Sequence, residues 1–262
     1  MLPVAQIIAV YNQKGGVGKT TTATTLAYLC ARDGKRVALI DLDEQGNSSI
    51  AYGVPDPEKL ETTVLTLLAK IITEEPLPAP QEYMYNYHGV DLVPSNREIS
   101  TLERNLCNVN FREYKLQEYI AKIADLYDYI IIDCMPAFNI ALINVMVCAD
   151  RVIIPVTPSL FASVGSIRFI ESYLALKAHA NPKLEIAGIL ITMNQSRTTI
   201  SEEVMTELQK TVGGHINIFQ TKIPRSVRVE KACAARKTIC EFEPTNPAAI
   251  AYENFYKELM GG

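Results

Sequence analysis

The chain predicts an α/β fold, a doubly wound and mostly parallel sheet flanked by helices, within one domain over residues 1–262. Three observations carry that expectation. Short apolar runs recur between helical patterns, as they do where strands are joined by crossover helices. Several runs, such as Tyr129-Ile130-Ile131-Ile132 and Val152-Ile153-Ile154, are apolar throughout, so both faces of those strands are covered. A glycine-rich turn lies between the first apolar run and the first helical pattern, at the end of a strand where open α/β sheets bind ligands.

The elements follow in order. Ile7-Ile8-Ala9-Val10-Tyr11 is a short β-branched run and opens the sheet. Thr20 to Arg32 places Ala23, Leu26, Ala27 and Cys30 at helical spacing. Runs at residues 36 to 41, 89 to 93, 129 to 133, 151 to 156, 186 to 192 and 216 to 220 supply the other strands. Between two of them, residues 112 to 124 set Leu116, Tyr119, Ile120 and Ile123 on one helical face. Glu74 to His88, with prolines at 76, 78 and 80 and tyrosines at 83, 85 and 87, reads as a surface loop or small excursion. Pro247 to Met260 reads as a helix whose stripe of Ala251, Phe255 and Leu259 faces the core.

Composition narrows the classes. At 262 residues and 48% apolar content the chain can bury a sizeable core. Its mean hydropathy is only +0.07, and no apolar run is long enough to span a bilayer. Met1-Leu2-Pro3-Val4-Ala5 leads straight into the first strand without a charged region or cleavage signal, so secretion is not expected. The six cysteines, at 30, 107, 134, 148, 233 and 240, form no C-x-x-C pair and read as reduced thiols, most of them in the core. The net charge of −4 gives no global sign of nucleic acid. Residues 222 to 237 differ locally, with Lys222, Arg225, Arg228, Lys231, Arg236 and Lys237 against Glu230 alone.

The most specific signal is Lys14-Gly15-Gly16-Val17-Gly18-Lys19-Thr20-Thr21. It is a variant of the phosphate-binding loop G-x-x-x-x-G-K-[ST], with Gln13 in the place of the first glycine and a second lysine at 14. Average residue frequencies make a chance match roughly one in ten thousand. The glycines let the backbone N–H groups of Gly15, Gly16, Val17 and Gly18 approach phosphates. Lys19 is assigned to the β/γ-phosphates, the Thr20 hydroxyl to Mg²⁺ and Thr21 to the α-phosphate of ATP.

With Lys14 ahead of the glycines, the loop resembles that of the ParA/MinD family of deviant Walker-A P-loop ATPases. The resemblance implies that Lys14 reaches across an ATP-dependent homodimer to the phosphates held by the partner subunit. Asp41-Leu42-Asp43-Glu44-Gln45-Gly46-Asn47 resembles the D-x-D-P-Q-G-N segment of ParA proteins, with Glu44 for the usual proline. By that resemblance Asp43 orients the attacking water, and Asp41 supports either the metal shell or the loop. Ile130-Ile131-Ile132-Asp133-Cys134-Met135-Pro136 resembles the Walker B segment, with Asp133 for Mg²⁺ and Met135 for a proline. Cys134 reads as a buried thiol rather than an iron–sulfur ligand.

Further on, Ile223-Pro224-Arg225-Ser226-Val227-Arg228 is similar to the I-P-R-N-x-R segment of ParA proteins, which places Pro224 and Arg225 at the nucleotide. Residues 232 to 238 depart from the segment that helps frame adenine in the family. ParA proteins of this length bind double-stranded DNA without sequence preference, so Arg225, Arg228, Lys231 and Arg236 are the expected DNA contacts. The implied protein is a cytoplasmic, nucleoid-associated ATPase of DNA segregation, stimulated by a ParB-type partner and independent of membranes. The alternative is a MinD-like membrane-associated ATPase, which requires a basic amphipathic C-terminal helix. Here the only basic residue of that helix is Lys257. A metabolic enzyme or electron-transfer protein of the same superfamily would need a second substrate or cluster site, and none is legible.

Overall fold

The computed structural model describes residues 5–158, 173–195 and 216–261. Met1 to Val4, read above as the lead into the first strand, lie outside them. The strands are β1 (Gln6–Val10), β2 (Val37–Asp41), β3 (Tyr85–Tyr87), β4 (Val90–Val93), β5 (Tyr129–Asp133), β6 (Arg151–Val156), β7 (Glu185–Asn194) and β8 (Ile218–Pro224). They form one eight-stranded sheet in the order β3-β4-β2-β5-β1-β6-β7-β8. Every pairing is parallel except β3 with β4.

The chain winds outward from β1 in both directions, first to β2 and β5, then to β6 and beyond. The carboxyl end of β1 is therefore the switch point where a crevice opens. Register brings three strand ends together there, because Asp133 is opposite both Val10 and Asp41.

Alternation along the central strands feeds two cores. Ala38, Ile40, Ile130 and Ile132 face one layer with Leu116, Ile120 and Leu142. Val37, Leu39, Ile131 and Ile153 face the other with Leu26, Leu29, Tyr252 and Phe255. The C-terminal helix, Pro247–Gly261, belongs to that second layer, and its stripe of Ala251, Phe255 and Leu259 is buried as expected. Asn246 accepts the Ala248 N–H at 3.0 Å, which caps the start of the helix just before Pro247. Phe255 meets Phe219 edge-to-face at 4.9 Å. Phe255→Ala should cost about 3–5 kcal/mol by leaving a cavity between helix and sheet. Urea denaturation reads this, and a loss below about 1 kcal/mol would mean that the helix is not an integral wall of the core.

One element differs from the sequence reading. Within the excursion 74–88, Pro80–Tyr83 forms a helical turn, and Tyr85–Tyr87 pairs antiparallel with β4 as an edge hairpin. The hairpin turns on His88 (φ 50°) and Gly89 (φ 82°), consecutive left-handed residues that suit a two-residue connection. The prolines that suggested a loop lie outside the strand, and the alternating Tyr85 and Tyr87 were the overlooked signal.

Candidate nucleotide site

The glycine-rich loop leaves β1 held from both sides. Asn12 Nδ2 donates to the Pro155 carbonyl of β6 at 2.7 Å, and its Oδ1 accepts the Lys14 N–H at 2.9 Å. On the far side Thr192 Oγ1 donates to the Val17 carbonyl at 2.7 Å. Sequence reasoning missed both anchors. Gly16 and Gly18 take left-handed φ values of 70° and 85°, which a side chain would strain. Gly18 opens the helix Lys19–Arg32 without any side-chain cap. Its first N–H groups are thus presented to the crevice, an anion site made of backbone.

Lys19 is only 6% exposed, and its ammonium donates to the Lys14 carbonyl at 3.2 Å. Burial pushes its pKa down, while the carboxylates of Asp133 and Asp43 act in the opposite direction. A buried ammonium of this kind is stabilised by an anion brought against it. The crevice beside it has a volume of about 460 Å³, and its lining includes Gly15, Gly16, Lys19, Thr20, Thr21 and Asp43 together with Glu44, Gln45 and Asn47. Lys14 itself is exposed.

Three acids meet at the strand ends. Asp41 is fully buried with both oxygens engaged: Oδ1 accepts the Asp43 N–H at 3.0 Å, and Oδ2 accepts the Ser49 N–H at 2.9 Å and hydroxyl at 2.7 Å. Asp43, 7% exposed, accepts the Gln45 N–H at 3.0 Å. These bonds form a strap that stiffens the segment where Glu44 replaces a proline. Of the two roles expected for Asp41, the geometry corresponds to support of the loop. Both of its oxygens accept hydrogen bonds from the segment itself.

Asp133 is also fully buried, and its Oδ2 accepts the Ser48 hydroxyl at 2.8 Å. Burial and then the neighbouring Asp41 raise its pKa, whereas the hydroxyls of Ser48 and Thr20 favour the ionised form. Its Oδ1 is buried and makes no hydrogen bond among the described residues. An orphaned carboxylate oxygen beside a threonine hydroxyl fits Mg²⁺, a hard ion usually held by one or two protein oxygens, with water and phosphate completing the shell. The described residues contain no group of three or more His, Cys, Asp or Glu that would cage a metal. Cys134 is a buried thiol, as expected, with its pKa raised by burial.

Beyond the phosphate crevice lies a smaller cavity of about 110 Å³, walled by Thr192, Ile223, Pro224, Arg225, Val229 and Tyr252. It shares Gly18, Thr21 and Met193 with the first cavity. Pro224 and Arg225 are thus placed beside the loop, 206 and 207 positions away from Gly18 in sequence terms, by the pairing of β8 with β7. None of the lining comes from residues 232–238, the stretch that departs from the family pattern.

The basic segment is less uniform than it reads. Lys222, Arg225, Lys231 and Arg236 are exposed. Arg228 instead pairs with Glu243, and its guanidinium lies 5.2 Å from the centre of the Phe242 ring. Lys237 pairs with Glu241 at 3.3 Å. The Arg228 charge is thus matched by an acid that lies outside the basic stretch.

A family model described as an AAA domain matches residues 5–186. The sporulation initiation inhibitor protein Soj of Bacillus subtilis is similar, with 33% identity over 98% of this chain and 98% of its own length. The chromosome partitioning protein ParA of Caulobacter vibrioides is 31% identical over 97% of this chain and 94% of its own. Among solved structures, cobyrinic acid a,c-diamide synthase from Mycobacterium smegmatis with a bound ATP analogue and magnesium matches with a TM-score of 0.84 and 29% identity, covering 98% of this chain and 94% of that one.

Proposed function

The chain belongs to the AAA-domain family and is related along nearly its whole length to Soj and ParA, and from that membership we propose a ParA-type ATPase of DNA segregation. It is a P-loop ATP hydrolase that uses ATP and Mg²⁺. In this reading the loop N–H groups from Gly15 to Gly18 surround the β-phosphate, Lys19 neutralises the β/γ oxygens, and Thr21 meets the α-phosphate. Thr20 and Asp133 hold Mg²⁺, and Pro224 and Arg225 bound the base. Mg²⁺ held by Thr20 and Asp133 would supply positive charge against the charge that grows on the phosphate oxygens.

Asp43 orients the attacking water from its strap. Lys14 of the partner subunit adds a second cation at the γ-phosphate, so hydrolysis is complete only in the dimer. A loose phosphoryl-transfer transition state asks for little more than such placement and charge. The dimer coats DNA, and a ParB-type partner stimulates hydrolysis and releases it. A diamide-synthase reaction would need a second substrate beside the γ-phosphate. The cavity continuous with the loop is small, with Ile223, Pro224, Val229 and Tyr252 beside polar groups in its walls, in keeping with a nucleobase.

The observation that carries the DNA reading is that Arg225 both lines the base-side cavity and is exposed, on a segment that also exposes Lys222 and Lys231. Nucleotide and an anionic polymer would then meet on the same stretch of chain. The test is DNA binding across a salt series with ATP, ADP or no nucleotide, beside liposome pelleting. ATP-dependent DNA binding supports segregation, and ATP-dependent lipid binding would support the MinD-like alternative. Against that alternative, the apolar stripe of the C-terminal helix is already buried, and no helix among the described residues is long and apolar enough to cross a membrane.

Arg225→Glu combined with Lys231→Glu should weaken binding on every sequence and reduce the log–log salt slope by about 2. Arg228 is left intact because replacing it would also remove its ion pair with Glu243. Full retention at low salt would move the DNA surface elsewhere.

A further inference from the structure

Asn47–Ala51 is a five-residue helix that follows the strap and is hydrogen-bonded to the acids that end β2 and β5. It starts from Gly46 (φ 58°), where a side chain would meet the Ser95 carbonyl at 3.2 Å, so its position is tightly set. Two consecutive serines, both fully buried, divide the neighbouring acids between them. Ser49 takes Asp41, and its hydroxyl also accepts the Ser95 N–H at 3.0 Å. Ser48 takes Asp133 Oδ2 at 2.8 Å.

The two bonds have different consequences. Both oxygens of Asp41 accept hydrogen bonds, whereas Asp133 Oδ1 is buried and accepts none among the described residues. A carboxylate held by one oxygen cannot rotate freely, so its other oxygen keeps a fixed bearing. We infer that Ser48 is the positioning residue for metal binding: by engaging one oxygen of Asp133 it fixes the carboxylate and leaves the other oxygen for Mg²⁺. The inference rests on the reading of Asp133 as the metal acid. It also links metal and water placement mechanically, since Ser48 and Ser49 lie on one helix turn, and the acid held by Ser49 carries the N–H of Asp43.

The experiment titrates Mg²⁺ into the full-length protein with a fluorescent ADP analogue and reads the half-point of the Mg²⁺-dependent increase in affinity. Ser48→Ala should raise that half-point about 10-fold or more, the usual cost of losing a partner of a metal-binding group. Affinity measured in EDTA should be unchanged. Ser48→Thr restores the hydroxyl and should return the half-point to near the wild-type value. Asp133→Asn is run in parallel to test the metal reading itself. If Asp133→Asn leaves the Mg²⁺ dependence untouched, that reading fails and takes the inference with it. If Asp133→Asn abolishes the dependence while Ser48→Ala keeps the wild-type half-point, the inference alone fails, even if Ser48→Ala lowers the melting temperature.

Discussion

Replacing Lys14 with alanine is expected to leave each subunit binding nucleotide while turnover falls about 10³-fold or more, the range lost with an arginine finger. The two halves of that expectation come from different atoms of one residue. The Lys14 main chain serves its own loop, since its N–H is fixed by Asn12 and its carbonyl receives the Lys19 ammonium. Alanine preserves both bonds. The exposed side chain is the part assigned to the partner's phosphates. Phosphate release read beside fluorescent-nucleotide affinity separates the two effects. Unchanged turnover would remove the cross-subunit role, and lost affinity would show that the lysine serves its own site.

Asp43→Ala should stop hydrolysis and accumulate an ATP-bound dimer. Removing a positioned acid or base from phosphoryl transfer typically costs about 10² to 10⁴ in rate. The segment should survive the change, because the turn is also closed by the main-chain bond from the Gly46 N–H to the Asp43 carbonyl, and Asp41 still holds the N–H of residue 43. Sedimentation with ATP reads the dimer, and a monomer alone would count against the assignment. Asp43→Asn sharpens the test, since it keeps an acceptor for the Gln45 N–H and removes only the charge. If asparagine hydrolyses ATP as the wild type does, Asp43 is a strap residue and not the group that orients water.

The hairpin and the basic segment show where sequence reasoning stops. Prolines at 76, 78 and 80 dominate the composition of the excursion, and a three-residue edge strand is too short for alternation to stand out against them. Arg228 reads like its basic neighbours until the fold brings Glu243 against it. Charge counted along a chain is blind to partners that lie outside the counted window. Glu44 stands where the family has a proline, yet the strap from Asp41 through Asp43 to Gln45 ties that segment by hydrogen bonds.

The sequence by itself determined the phosphate loop, the acids at the strand ends and the alternation that makes a parallel sheet. The groups of the loop lie within eight consecutive residues, from Lys14 to Thr21, and strand and helix periods repeat over short windows. Tertiary structure alone decided which acid oxygen accepts no hydrogen bond among the described residues, which cations of the basic stretch meet an acid, and what pins the loop. Ser48 lies 85 positions from Asp133, and Thr192 lies 175 from Val17. Hydrogen bonds act only at about 3 Å, so partners that far apart in sequence are chosen by strand order and register.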